Sequence, residues 1–246
     1  MEAVDWLGHL LSCRDCSHKD IRERGRCDLG RMCVRDRRAR RIDQFFSANP
    51  HEANSYLGHP YFELRVGAAK YASLFLLAPL IHDEEPDVRA MVAQRLPLRQ
   101  VTPLLGDPDP KVRMALAQRV EGAALVKLLR DEDSAVRLIA ARRTRTDLLP
   151  LVTNDPDSEV RCEAARRLDT SRLLALAHDF EPRVRMIVAE RLMPAQLSGL
   201  SHDEDLRVRF TVAERAPIEI LAGMRNDSDP EVRRVVASRL AETSDS

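Results

Sequence analysis

Four cysteines lie close together near the start of the chain, in the spacing Cys13-x₂-Cys16-x₁₀-Cys27-x₅-Cys33. A Cys-x₂-Cys pair lets two thiolates grip one metal ion or neighbouring corners of one metal cluster. The two more widely spaced cysteines complete a set of four ligands. The segment therefore predicts a metal site, with these four residues as its candidate ligands.

Basic residues surround the four cysteines. Between Cys13 and Arg41 there are eleven lysines and arginines against five acids, although the whole chain has a formal net charge of zero. Such cations lower thiol pKa values and offset the negative charge of a tetrathiolate site. A second Cys-x₂-Cys pair would favour a zinc ribbon, and a run of short spacers ending in Cys-Pro would favour a bacterial ferredoxin. Neither pattern is present, so the residues alone leave zinc and iron–sulfur open.

The remaining chain repeats itself every 24 residues. Seven Val-Arg pairs follow this period, Leu64-Arg65 shares their register, and an alanine stands five residues after each of these positions. An aspartate stands five residues before each of the seven valines. A fixed period of this length is typical of a solenoid. Such arrays usually serve as surfaces for partners.

One repeat shows which elements the period contains. Asp109 followed by Pro110 predicts an N-cap and a first helical residue, since proline lacks the donor that this position does not use. The helix is expected to run about eleven residues, with a second segment of six or seven that suits a short α turn or a 3₁₀ helix. The alternating Leu-x-Leu strand of ordinary leucine-rich repeats is absent. The pattern predicts an all-α array, in which Cys162 fills a core position.

The arginine of each Val-Arg pair falls in the middle of the apolar arc of its helix. A buried guanidinium without a partner is very costly, and the aspartate six residues earlier recurs equally often. We therefore predict an internal Arg–Asp ladder, formed either within repeats or between neighbours, with solvated surface charge as the alternative. Its members are Asp83, Arg89, Asp107, Arg113, Asp131, Arg137, Asp155, Arg161, Asp179, Arg185, Asp203, Arg209, Asp227 and Arg233.

A second column of arginines lies at the edge of the apolar arc. We expect these side chains to extend along the core and place their charge in water. A row of guanidinium groups for an acidic or phosphate-bearing partner is the functional alternative. The column consists of Arg95, Arg119, Arg143, Arg167, Arg191, Arg215 and Arg239.

The sequence divides into a cysteine lobe at residues 1–48, a degenerate junction at 49–63 and eight repeats at 64–246. A helix is expected from Val34 to Phe46, and His59 stands where other repeats have the aspartate. His51 and His59 are weaker ligand candidates, because four cysteines already complete a ligand set. Seven of the chain's aromatics are expected to seal the junction between lobe and array. These are Phe45, Phe46, Tyr56, Tyr61, Phe62, Tyr71 and Phe75.

The 24-residue unit behind Cys13, Cys16, Cys27 and Cys33 resembles the leucine-rich repeat variant family. The resemblance covers essentially the whole chain. It implies short α-helices alternating with 3₁₀ helices in a right-handed superhelical solenoid. It also implies a [4Fe–4S] cluster held by the four cysteines; zinc stays the alternative, because the residues alone leave it open. The repeats resemble HEAT-like units less closely, because those units are longer. The family brings no established biochemical activity with it.

Three functions remain in view. The leading expectation is a protein-binding scaffold whose cluster carries electrons or senses redox state. The alternative is a non-redox scaffold with a purely structural metal. Nucleic-acid binding through Arg35, Arg37, Arg38, Arg40 and Arg41 is weaker, because the run lacks interleaved aromatics. No catalytic constellation, secretory signal or membrane span is apparent, which favours a cytoplasmic protein that is not an enzyme.

Overall fold

A computed structural model describes residues 3–14 and 16–242 of the chain. This described part is helical, without a β-strand, and contains two isolated bridges, Val4–Leu10 and Asp28–Met32. The chain forms two compact units, Met1–Val120 and Glu121–Ser246. The all-α fold class predicted from the period is confirmed. None of the described helices is long and apolar enough to cross a membrane.

The first unit contains the cysteine lobe and the first repeats. Its α-helices are α1 (Lys19–Glu23), α2 (Ala39–Ala48), α3 (Phe62–Tyr71), α4 (Pro86–Arg95), α5 (Leu98–Val101) and α6 (Pro110–Ala117). Its 3₁₀ helices are Pro50–Tyr56, Leu74–Leu76, Ala78–His82 and Thr102–Gly106. Helices α2, α3, α4 and α6 pack side by side in chain order.

The second unit continues the same alternation. Its α-helices are α7 (Gly122–Leu128), α8 (Ser134–Arg143), α9 (Ser158–Arg167), α10 (Thr170–Leu173), α11 (Pro182–Arg191), α12 (Leu206–Arg215), α13 (Ile218–Leu221) and α14 (Pro230–Glu242). Its 3₁₀ helices are Thr146–Val152, Leu174–Leu176, Pro194–Leu200 and Ala222–Met224. The predicted long first helix and short second segment are both present.

Local sequence explains where the long helices begin. The carboxylate of Asp109 accepts a hydrogen bond from the Lys111 N–H at 2.8 Å, as an N-cap should, and Pro110 opens α6. Asp133 caps α8 in the same way, through the N–H of Ala135 at 2.9 Å. These contacts satisfy donors that have no partner inside the helix.

The repeated valines and alanines form the core. In the second unit, the valine of each Val-Arg pair from Val136 to Val232 is completely buried. The alanine five residues later is also completely buried at Ala141, Ala165 and Ala189. Small alanine side chains let neighbouring helices approach closely, while each buried valine contributes about 1.5–3 kcal/mol. The period of the sequence is therefore the period of the packing.

On either side of the junction, the structure differs from the prediction in two places. The helix expected from Val34 begins instead at Ala39, because the buried carboxylate of Asp36 accepts the Arg38 N–H at 3.0 Å and holds that stretch in a turn. The other difference is Phe75, which does not seal the junction. It is 94% exposed, whereas Leu77 fills the inward position of that segment.

Close packing joins the lobe to the first repeat. Phe45 and Phe46 are completely buried and contact each other edge to face, with ring centroids 5.6 Å apart. Gly67 of α3 faces α2, where an added Cβ would lie 3.0 Å from Ile42 and 3.2 Å from Phe46. A larger residue at this position would force Ile42 or Phe46 to shift by a few tenths of an ångström, so glycine favours this close approach of the two helices.

Within each unit, the Arg–Asp ladder pairs an arginine with the aspartate 18 residues later, in the next repeat. Arg137 Nε and Nη2 donate to the two carboxylate oxygens of Asp155, each at 2.8 Å. Within its own repeat, Arg137 Nη1 donates to the backbone carbonyl of Asp131 at 2.9 Å. The hydrogen bonds that Arg137 donates to Asp155 raise the pKa of Arg137. Each such guanidinium thus links two consecutive repeats.

The same side-chain pairing recurs in both units. The other described pairs are Arg65–Asp83, Arg89–Asp107, Arg161–Asp179, Arg185–Asp203 and Arg209–Asp227. Arg113 and Arg233 each donate through Nη1 to the carbonyl of the aspartate six residues earlier, both at 2.6 Å.

Arginines of the second column, such as Arg191 and Arg95, cap helices instead of extending into water. Arg191 Nη1 donates to the carbonyls of Ala165 and Leu168, at 2.7 and 2.8 Å. These acceptors lie at the C-terminal end of α9, in the preceding repeat, where carbonyls lack helical partners. Arg95 binds Ala69 and Ala72 in the same way. The expectation of solvated edge charges is therefore wrong for these residues.

Candidate metal centre

The four candidate ligands lie on loops around the short helix α1. Cys13 and Cys16 precede α1 and are partly exposed, whereas Cys27 and Cys33 follow it and are buried. All four are free thiols. The site therefore consists of a partly exposed pair before α1 and a buried pair after it.

Two turns shape the loop between α1 and α2. Gly25, at φ +70°, ends α1 and lets the Arg26 N–H donate to the Ile21 carbonyl at 3.0 Å. Gly30, at φ +96°, lies inside the bridge that joins Asp28 to Met32. Residues other than glycine rarely adopt such φ values, so these glycines set the path from Cys27 to Cys33.

Cys27 and Cys33 share a hydrogen bond between their sulfur atoms. This bond lowers the pKa of the Cys33 thiol to about 7, assisted by the backbone N–H groups of Arg35 and Asp36. The same bond raises the pKa of Cys27, together with burial and the negative charges of the other three cysteines. Because those charges act on Cys27, the four sulfurs occupy one electrostatic neighbourhood. A lowered pKa favours the thiolate of Cys33, which is the form that metal ligation requires.

A polar cluster of side chains adjoins the cysteines. His18 is nearly buried; its Nε2 lies 3.2 Å from the Tyr56 hydroxyl and 3.5 Å from Glu52 Oε2. Burial raises the pKa of Tyr56 to about 12, with further contributions from the charges of Glu52, Cys16 and Cys33. The Tyr56 hydroxyl is therefore a neighbour of the cysteine site that remains protonated at neutral pH. Sequence reasoning missed this cluster, because its members are 38 residues apart.

Asp36 is the acidic anchor of the lobe. Its carboxylate is completely buried and lies 2.5 Å from Arg41 Nη1 and 3.3 Å from Arg38 Nη1. Both arginines belong to the run that suggested nucleic-acid binding. Arg35, Arg37 and Arg40 remain exposed. The basic run is therefore divided between an internal ion pair and a smaller exposed surface.

The fifth cysteine lies in the core, as predicted, and the two weaker histidine candidates have other surroundings. Cys162 is completely buried in α9 of the second unit, and burial raises its pKa. His59 Nδ1 accepts the Tyr61 N–H at 3.0 Å, just as Asp83 Oδ1 accepts the Glu85 N–H in the next repeat. His59 thus replaces the repeat aspartate. The side chain of His51 is 63% exposed.

The donors of the cysteine site suit an iron–sulfur cluster. Four thiols, N–H donors to one sulfur and exposed arginines nearby satisfy the needs of a negatively charged tetrathiolate group. Among residues 3–14 and 16–242, no set of three histidine, cysteine or acidic side chains is arranged to hold a single metal ion.

An all-α repeat protein with a four-cysteine lobe is the class that this fold and site define. A family model described as the LRV protein FeS4 cluster matches residues 3–55. The solved structure of a leucine-rich repeat variant with a novel repetitive structural motif is 39% identical, with a TM-score of 0.86. That match covers 93% of this chain and 98% of the other. The chain belongs to the leucine-rich repeat variant family and is an iron–sulfur cluster-binding repeat protein.

Two further proteins are similar. An uncharacterized 27.7 kDa protein in the nifB 3′ region of Rhodobacter capsulatus is 51% identical over 96 residues, which span 39% of each chain. The YIBA protein of E. coli, known from an X-ray structure, is 16% identical with a TM-score of 0.54. Its match covers 94% of this chain and 99% of the other, and it shows a shared fold alone.

Sequence reasoning also missed Arg65 as a member of the Arg–Asp ladder. Arg65 is buried and pairs with Asp83 through two hydrogen bonds, at 2.8 and 2.9 Å. The signal was present, since Leu64-Arg65 shares the register of the Val-Arg pairs.

Proposed function

We propose that the lobe binds a [4Fe–4S] cluster on Cys13, Cys16, Cys27 and Cys33, and that the protein uses it to carry electrons or to sense redox state in the cytoplasm. The observation that supports this most is the set of four unpaired cysteines on the loops around α1, within the segment that matches the FeS4 family model. A [4Fe–4S] cluster supplies reversible one-electron oxidation and reduction.

The residues of the lobe prepare the site in two ways. The N–H groups of Arg35 and Asp36 stabilise charge on the Cys33 sulfur, and hydrogen bonds to cluster sulfurs are known to adjust reduction potentials. Cys13 and Cys16 are only partly covered by protein. The site is thus insulated on the side of the buried pair and accessible on the other.

The protein serves as a scaffold for a protein partner, and this partner approaches the basic surface of the lobe. Arg14, Arg24, Arg26 and Arg31 are exposed on the lobe, and such a basic surface steers an acidic partner towards the cysteines. Reduction by an acidic protein donor is expected to slow steeply as salt is raised, because screening shortens to about 8 Å at physiological ionic strength. A rate that is indifferent to salt would contradict steering.

A structural role for the metal is the second candidate. Asn49 Nδ2 donates to the carbonyls of Arg26, at 2.8 Å, and Phe45, at 3.0 Å. The cysteine loop is thereby fastened to the end of α2. A lobe fixed in this way also suits a cap over the first helices, which needs no redox chemistry.

Anaerobic purification followed by iron, zinc and acid-labile sulfide analysis distinguishes the candidates. We expect about four irons and four sulfides per chain, and a brown absorption band that bleaches with dithionite and returns on reoxidation. A colourless protein with one zinc would contradict the redox proposal and leave the structural cap. An iron–sulfur cluster that no reductant bleaches would also favour the cap.

A further inference from the structure

A short turn ahead of the first cysteine presents large apolar side chains to solvent. Trp6, Leu7 and Leu10 are 40%, 59% and 68% exposed. Large apolar side chains grouped on a surface mark an interaction site, whereas scattered ones need no explanation. We call residues 4–10 the apolar turn.

Hydrogen bonds hold the apolar turn in one conformation. Asp5 Oδ1 accepts the N–H of Leu7 at 2.9 Å and that of His9 at 2.8 Å. Val4 and Leu10 pair as an antiparallel bridge, and Gly8 at φ +91° closes the turn between them. The exposed leucines are therefore displayed by a preformed support, which lowers the entropy lost when a partner binds.

The apolar turn is also fastened to the basic part of the lobe. Trp6 stacks on Tyr61, with ring centroids 5.9 Å apart and an interplanar angle of 10°. The Tyr61 hydroxyl donates to the Arg37 carbonyl at 2.8 Å, and the Arg37 N–H donates to the Val4 carbonyl at 3.1 Å. The exposed residue Arg37 therefore belongs to the rim of the apolar turn.

The chain leads from the apolar turn directly into the accessible side of the cysteine site. Cys13 follows Leu10 by three residues, and Arg14, the next residue, is exposed. Cys13 and Cys16 are the partly exposed ligands, whereas the other two are buried. A partner seated on the turn therefore approaches the side of the site that protein covers least.

We propose that the apolar turn, flanked by Arg14 and Arg37, is the docking surface for an acidic protein electron carrier. This inference rests on the proposed redox function. Tryptophan and arginine are enriched at protein interfaces, with an apolar centre and a charged rim. An electron carrier is favoured over a lipid surface, because the turn adjoins the accessible cysteines and a lipid surface there would supply no electron. One electron passes from carrier to cluster, and no covalent bond changes.

Reduction kinetics test the docking surface. The probe is a reduced, acidic [2Fe–2S] ferredoxin mixed with the oxidised holoprotein in a stopped-flow instrument. We expect Leu7→Ser/Leu10→Ser to slow reduction by ferredoxin at least fivefold and to leave reduction by dithionite unchanged, since dithionite needs no protein interface. The matched control, Leu74→Ser/Leu76→Ser, removes two leucines that are 44% and 47% exposed elsewhere. It should match the wild type with both reductants.

Each alternative outcome has a definite meaning. Equal ferredoxin rates for wild type and Leu7→Ser/Leu10→Ser would overturn the docking surface while leaving the redox function intact. A wild-type cluster that accepts electrons from dithionite but not from ferredoxin would also overturn the docking surface. A cluster that neither reagent reduces would overturn the proposed function itself. Flotation of the wild type with phosphatidylserine vesicles, lost in the double variant, would assign the turn to a membrane instead. Retention of the visible absorption band verifies that each variant is folded.

Discussion

The repeats bury arginine beside aspartate, whereas the lobe buries cysteine beside cysteine. In the repeats every part of the buried polar contact comes from the chain, as with Arg137 and Asp155 at 2.8 Å. In the lobe the chain supplies four cysteines, whose thiolates repel one another. A bound metal group is needed to neutralise that repulsion. The repeats are therefore expected to fold on their own contacts, and the lobe to depend on its cofactor.

The largest expected effect is loss of the cluster. Serine at any one of Cys13, Cys16, Cys27 or Cys33 removes a ligand, and we expect less than about a tenth of the wild-type iron after anaerobic purification, consistent with the loss that ligand removal causes. Iron analysis and the visible spectrum measure this. The control is Cys162→Ser, in the core of the second unit, which should keep the full cluster. A Cys162→Ser protein without iron would contradict the ligand set.

The next effect tests the repeats. Arg137→Ala leaves the buried carboxylate of Asp155 without its guanidinium, and we expect a loss of about 3–5 kcal/mol in the free energy of unfolding. Urea denaturation followed by circular dichroism provides the measurement. The matched control is Arg145→Ala, because the side chains of Arg145 and its partner Asp147 are 82% and 59% exposed. This substitution should lower the free energy of unfolding by no more than about 0.5 kcal/mol. Equal small losses would contradict a buried ladder that holds repeats together.

A smaller loss is expected from the capping column. Arg191→Ala removes two hydrogen bonds to the end of α9, and charge-assisted contacts of this kind predict a loss of about 1.5–3 kcal/mol. The comparison variant is Arg234→Ala, whose side chain is 73% exposed and pairs with Glu231 at the surface. If Arg191→Ala lowered the free energy of unfolding as little as Arg234→Ala, the capping contacts would contribute nothing to stability.

The smallest effect is a dependence on pH. Burial alone would raise the pKa of Asp227, but the hydrogen bonds and charge of Arg209 and the Asp229 N–H lower it. A lowered folded pKa means that this stabilisation is complete above the unfolded pKa, near 3.9, and is lost as pH falls through the folded value. The difference in unfolding free energy between wild type and Asp227→Asn should therefore shrink below about pH 4. A constant difference from pH 7 to pH 2.5 would contradict this assignment.

More of the structure of the repeats than of the lobe could be predicted from the sequence. Periodic valines and arginines specify helices, core and buried guanidinium groups, because each position recurs in the same environment. The sequence did not predict that Arg137 pairs with an aspartate of the next repeat, since the period also allows pairing with the aspartate of its own repeat. The acceptors of Arg191 are backbone carbonyls, which every sequence supplies. In the lobe, contacts such as that of His18 with Tyr56 occur once and join residues far apart in the chain, so no sequence pattern predicts them.

Hydrogen exchange of the holoprotein and of the anaerobically chelated protein tests the central contrast most directly. We expect removal of the metal to accelerate exchange severalfold or more in amides of residues 3–48, since the buried cysteines lose the group that unites them. Residues 121–242 should exchange at unchanged rates, because their polar contacts are completed within the repeats. Exchange that accelerates equally in both regions, or in neither, would contradict a lobe that depends on its cofactor beside repeats that do not.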